Sequence, residues 1–251
     1  IIYQEVLRDE NASVLYSAMD NQNYARYWHG HSVYMRPLSV FFDITQVRYI
    51  LMVAFYALAA LMLVKVGRRF GGPVAAVFFI GLMAIYPNTV STCLQLAAVF
   101  LVAFVFTMLS IRVYDKSPGK IALLLFVSGS VANFFDLLTV PLVSLGLPLI
   151  VILLIEAERS PLVLGNTQAS APSIWRQIWE KVWLIARICI AWVLGYGGTW
   201  LAKWLIGSAV LQRNVLADAI ETILFRTEGK VDWFDISYPN MFRYNIENIL
   251  L

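Results

Sequence analysis

The chain has 251 residues, of which 60% are hydrophobic and only 14% charged, against roughly 25% charged in soluble domains. A net charge of +3 gives no footprint for a nucleic-acid partner. The near-continuous apolar blocks between Arg48 and Gly207 exclude a soluble fold, and hydrocarbon requires each spanning segment to satisfy its own backbone as a helix. The expected class is an all-α, polytopic transmembrane bundle. It divides into an aromatic segment (1–47), a bundle of about six spans (48–207) and a second segment outside it (208–251).

Residues 1–47 carry the first chemistry-bearing residues. Asp9 and Glu10 form an acidic pair that can act as a general base or hold a divalent metal against a phosphate. The stretch Tyr24-Ala25-Arg26-Tyr27-Trp28-His29-Gly30-His31 follows, then Tyr34-Met35-Arg36-Pro37-Leu38. Arg26 or Arg36 can grip a phosphate with two parallel hydrogen bonds, and the aromatic rings can stack on a sugar. The plainer alternative is a solvated loop with an aromatic belt, because Trp and Tyr favour the headgroup level. His29 and His31, two apart with no cysteine nearby, fall short of the three or four ligands of a zinc site. No metal site is therefore assigned to them. The chain opens on Ile1 without a signal-peptide pattern and closes on apolar Ile249-Leu250-Leu251, as expected of a piece of a longer membrane protein.

Six spans are expected: Tyr49–Val66, Pro73–Tyr86, Val90–Ile111, Ile121–Phe135, Leu137–Ile155 and Val182–Gly207. The second and fourth are short for a crossing of about 20 residues, so they re-enter or borrow flanking residues. Lys65, Arg68 and Arg69 follow the first span. Arg112, Lys116 and Lys120 follow the third, and Arg159, Arg176 and Lys181 the fifth. Alternation puts all three groups on one side, the cytoplasmic one by the positive-inside rule. The expected location is a plasma membrane with residues 1–47 and 208–251 outside. The two cysteines, Cys93 and Cys189, sit in different spans near opposite faces, too far apart for a disulfide.

Asn133 and Asp136 fall at the outer turn between the fourth and fifth spans. An ionisable group at membrane depth is a functional candidate. The alternative is an N-terminal cap on the fifth span, where a carboxylate accepts unpaired N–H groups. The sixth span carries Arg187 and Lys203. Lys203, beside Trp200 and Trp204, either snorkels to the interface or meets a lipid-linked phosphate. Gly195, Gly197 and Gly198 suggest a close helix approach or a kink. Beyond the bundle, Leu216, Ile220, Ile223 and Leu224 recur at helical spacing, which predicts an amphipathic helix over 213–226 lying on the surface.

There is no phosphate-binding GxxxxGK[ST] loop, HExxH helix or GxSxG elbow, which argues against ATP hydrolysis and the corresponding zinc and serine hydrolases. The order of Asp9-Glu10, the tyrosine-rich stretch and Arg36-Pro37-Leu38 resembles the first external loop of C-type glycosyltransferases. These are membrane enzymes that use polyprenyl-phosphate-linked sugars. One proline stands where that superfamily commonly has two, Arg stands where Lys is common, and Pro87–Thr89 carries no acid. The blocks Ala25–Gly30, Asn133–Asp136 and Gly195–Gly197 also resemble a group of bacterial multi-pass membrane proteins.

The resemblance implies sugar transfer from a polyprenyl-phosphate donor at the outer face. Asp9 or Glu10 would act on the acceptor hydroxyl, and Arg36 and Lys203 would hold the departing phosphate. Side-chain chemistry, apart from the resemblance, adds Arg26, Trp28, His29 and Asp136 to the candidate binding residues, with a divalent metal compatible with the acidic pair. The competing expectation is a non-enzymatic membrane protein, either a lipid or polymer transporter subunit or a scaffold.

Overall fold

The computed structural model describes residues 13–20, 25–160, 174–228, 230–231, 234–235, 243 and 246. Asp9, Glu10, Tyr24 and the linker 165–172 lie outside them. Two short helices, α1 (Val14–Met19) and α2 (Ser32–Ser39), precede the bundle. Helix α3 (Ile44–Phe70) starts before the hydropathic block does, because Asp43 and Gln46 form a capping box. The Asp43 carboxylate accepts from the Thr45 and Gln46 amides, and the Gln46 side chain accepts from the Asp43 amide.

The chain then turns through Gly71, whose φ of +93° suits glycine, into α4 (Gly72–Ala84). A break at Tyr86, left-handed at φ +53°, leads to the short α5 (Pro87–Thr92) and to α6 (Leu94–Lys116). A 3-10 turn at Pro118–Lys120 leads into α7 (Ile121–Phe135), followed by α8 (Val143–Arg159), α9 (Ile174–Leu211) and α10 (Val215–Glu228). Two-residue strands, β1 (Lys230–Val231) and β2 (Phe234–Asp235), pair antiparallel after α10.

The all-α multi-pass architecture stands, but among the described residues it has four full-length spans rather than six: α3, α6, α7 with its leading turn, and α9. Among the short ones, the fourth predicted span does borrow flanking residues, reaching 18 from Pro118. The second does not. Helix α4 has 13 residues, and 13 residues of helix rise about 20 Å against a hydrocarbon core of about 30 Å. The fifth is 17 residues, Val143–Arg159, because Asp136–Leu142 runs as a turn. The sixth is longer than predicted, at 38 residues. At about 1.5 Å per residue such a helix outruns even the headgroup layers, and its first turns carry exposed Trp175 and Trp179.

Helix α6 is the buried centre. Phe100 and Phe104 meet Phe55 of α3, the Phe55–Phe104 ring centroids lying 5.2 Å apart. The closest crossing joins α7 to α9. A Cβ on Gly129 would lie 2.3 Å from the Trp192 carbonyl oxygen, and one on Gly195 would lie 1.9 Å from that of Phe126. Lipid tails are as apolar as leucine, so close packing rather than hydrophobicity holds such helices together. Gly197 and Gly198 meet nothing within 4 Å, so of the cluster Gly195, Gly197 and Gly198 only Gly195 makes the approach.

Charge separates the two ends. Arg69 bonds Asp115 at 3.0 Å and Glu158 at 2.8 Å, Arg159 reaches Asp115, and Lys181 bonds Glu156 at 2.7 Å. These pairs tie together the ends of α3, α6, α8 and α9, so the three predicted basic groups share one end of the bundle. The opposite end carries the aromatic segment, with Val40 and Phe41 74% and 79% exposed at its rim. Cys93 and Cys189 are unbridged.

The predicted surface helix is present as α10, but the apolar face chosen from spacing is not the one that packs. Val215 and Ala219 are buried, while Ile220 and Leu224 are about half exposed. Gly207 leaves room for the Val215 methyls, 3.6 Å from where its own Cβ would be. That brings α10 down on its Val215 side and leaves Ile220 and Leu224 outward, as on a helix lying in an interface.

Candidate functional site

The aromatic segment folds back onto the bundle through its backbone. The Trp28 indole donates to the Thr199 carbonyl at 2.8 Å, and the Trp200 and Trp204 indoles both donate to the Arg26 carbonyl. The Gly30 amide donates to the Phe134 carbonyl at 3.0 Å. A Cβ there would lie 2.2 Å from that oxygen, so only glycine allows the segment this close. Next to it His29 sits in the left-handed region at φ +53°, a conformation costing about 1–2 kcal/mol outside glycine. The turn is held by the Ser32 amide donating to the His29 carbonyl at 2.9 Å.

This fold-back encloses a cavity of about 390 Å³. Trp28, His29, Ser32 and Arg36 give it a polar side. Ala18, Met19, Val33, Pro37 and Phe134 give it an apolar one. Arg36 is the one lining residue with a permanent charge, and no carboxylate lines the cavity among the described residues. The Ser32 hydroxyl has no partner among the described residues. His29 is buried and meets His31 edge-on, with centroids 6.0 Å apart. Tyr34, one turn along α2, points elsewhere: its hydroxyl donates to the Leu94 carbonyl, and burial, aided by nearby Cys93, pushes its pKa up to about 12.

Of the predicted site residues, the structure brings Trp28, His29 and Arg36 together. Arg26 lies apart, paired with Asp218 of α10 at 3.2 Å, and lines a separate pocket of only about 40 Å³. Lys203 neither snorkels nor lines the cavity. It is fully buried, donates to the Ala18 and Met19 carbonyls at 3.1 and 2.9 Å, and lies 5.4 Å from the Trp28 ring centroid. It anchors α1, whose last residues form one wall of the cavity.

Asp136 is 1% exposed and does not cap the fifth predicted span, since α8 begins only at Val143. Its carboxylate accepts from the Thr139 amide at 2.9 Å, the Thr139 hydroxyl at 2.6 Å and the Tyr196 hydroxyl at 2.9 Å. It therefore pins the turn after α7 to α9, directly beyond the Phe134 wall. Asp136→Asn keeps one acceptor oxygen but loses the charge on these bonds, for an expected loss of about 1–2 kcal/mol. Thermal unfolding of the purified protein in detergent measures it, and an unchanged midpoint would show that other contacts hold the turn.

Sequence reasoning missed Ser32, Met19, Phe134 and Gly30 as parts of the site. Only Gly30, between two histidines, offered a local signal of close backbone approach. No group of three or more potential metal-binding side chains occurs among the described residues. The chain matches no family model, no curated protein and no solved structure.

Proposed function

We propose that the cavity binds the phosphate headgroup of a membrane lipid of the polyprenyl-phosphate class, as the donor site of a sugar-transferring membrane protein. One observation carries the reading: a cavity at the aromatic end of a membrane bundle gathers the Arg36 guanidinium, the Ser32 hydroxyl and the His29 ring beside the Trp28 and Phe134 rings. An anion is the ligand that such a lining favours. A guanidinium can make two parallel bonds to a phosphate, and Ser32 and His29 add polar contacts. Trp28 and Phe134 supply flat apolar walls for a sugar ring or for the first carbons of a lipid tail. The sugar-transfer half of the proposal comes from the resemblance of Asp9-Glu10 and Arg36-Pro37-Leu38 to C-type glycosyltransferases.

Arg36→Gln removes a charge-assisted contact worth about 1.5–3 kcal/mol, a loss of about 10- to 100-fold in affinity. Titrating the purified protein with a polyprenyl phosphate while following tryptophan fluorescence reads it. Equal affinity for the uncharged polyprenol, or for Arg36→Gln, would defeat the phosphate site. The transfer step has its own test. Asp9→Asn should abolish transfer from a lipid-linked sugar while leaving membrane insertion and binding intact. Phosphate-selective binding with no transfer by the unaltered chain would favour the transporter or scaffold reading.

A further inference from the structure

A second cavity, of about 440 Å³, opens between α4, α6 and α8, and Phe78, Leu82, Ile85, Phe100 and Leu147 line it with carbon. Two glycines make the space. Gly81 and Gly146 both border it, and a Cβ on either would meet nothing within 4 Å. The cavity is continuous with the lipid-facing surface of the bundle, where Val77 and Ile150 at its mouth are 68% and 46% exposed. Helix α4, which lines one side of it, is too short to cross. After 13 residues α4 gives way to the break at Tyr86, so α4 alone does not cover α6 and α8 through the full depth of a bilayer.

From this we infer that the groove holds one acyl chain of a bilayer phospholipid as a resident part of the fold. An empty cleft here would forfeit the dispersion contacts of every side chain lining it. Its volume of about 440 Å³ suits a single hydrocarbon chain and is too small for a helix, whose diameter with side chains is about 10 Å. No polar lining selects a headgroup, so binding rests on chain packing and is indifferent to headgroup charge. It is independent of the phosphate cavity at the aromatic end.

The test places a photoreactive residue at Val77 of the full chain in its native membrane and identifies the adduct by mass. A diacyl phospholipid adduct is expected. An adduct to a peptide, or solely to an isoprenoid lipid, would overturn the inference. In parallel, Gly81→Leu with Gly146→Leu puts bulk into the groove from two positions where a Cβ meets nothing within 4 Å, and Gly197→Leu adds bulk at an exposed site elsewhere. Purified with limited detergent washing, the groove-filled variant should lose the tightly retained phospholipid seen by native mass spectrometry, and the Gly197 variant should keep it. Equal retention in both would also overturn it. Polyprenyl-phosphate affinity should be unchanged in either variant, which keeps this result separate from the Arg36 experiment.

Discussion

Gly195→Leu should destroy the bundle's stability, with a loss of about 4 kcal/mol or more, beyond the usual 1–3 kcal/mol of overpacking. The Cβ alone would sit 1.9 Å from the Phe126 carbonyl oxygen and 2.8 Å from its carbon. The obstacle is backbone, so no rotamer change can relieve it. Helices α7 and α9 would have to separate, breaking the bond from the Ser130 hydroxyl to the Gly195 carbonyl. The Trp192 indole, which donates to the Ser144 hydroxyl at 3.1 Å, would move with them. Gly129→Leu faces the same crossing from the other side, with its Cβ 2.3 Å from the Trp192 carbonyl oxygen. Gly197→Ala supplies the contrast. It meets nothing, so higher helix propensity should stabilise it by up to about 1 kcal/mol. Thermal unfolding in detergent, followed by size-exclusion chromatography, reads all three. A Gly195 variant that melts with the unaltered protein would mean that this crossing is not the bundle's tightest contact.

The same crossing shows what could be read in advance. That the chain is a helical membrane bundle followed from composition and block length, because hydrocarbon leaves no other way to satisfy the backbone. The grouping of basic ends followed from alternation, and the Arg69, Arg159 and Lys181 ion pairs now join those ends. Span lengths were less legible. Hydropathy does not register a left-handed residue such as Tyr86, nor the capping box at Asp43. It also cannot tell whether Asp136–Leu142, apolar for most of its length, coils or turns.

The site was legible in part. Trp28, His29 and Arg36 could be picked from one stretch of sequence, but the contacts that shape their cavity are distant in the chain. Phe134 reaches Gly30, and Thr199 reaches Trp28. A glycine's role depends on which helix face meets a neighbour. So Gly195, Gly197 and Gly198 read alike in sequence and differ in the fold.

Lys203→Met should loosen α1 rather than stabilise it. Burying an ammonium is costly, and replacing a buried ion pair with apolar groups is often neutral. Here the partners are the Ala18 and Met19 carbonyls, which no side-chain change removes. They close the last turn of α1, where helix carbonyls lack internal partners and favour a cation. Leaving buried acceptors unsatisfied costs about 1–3 kcal/mol each, and the ammonium–Trp28 contact is lost as well. A helix of six residues has no independent stability to fall back on. The expected result is local. Hydrogen exchange at residues 14–19 should accelerate about 100-fold, corresponding to about 3 kcal/mol, while the crossing of α7 and α9 keeps its protection. Because Ala18 and Met19 wall the cavity that holds Trp28, His29 and Arg36, affinity for a polyprenyl phosphate should fall too, although Lys203 does not itself line the cavity. Lys203→Arg, which restores a cation, should recover part of the protection. If exchange in α1 is unchanged by Lys203→Met, the ammonium is not what holds this wall in place.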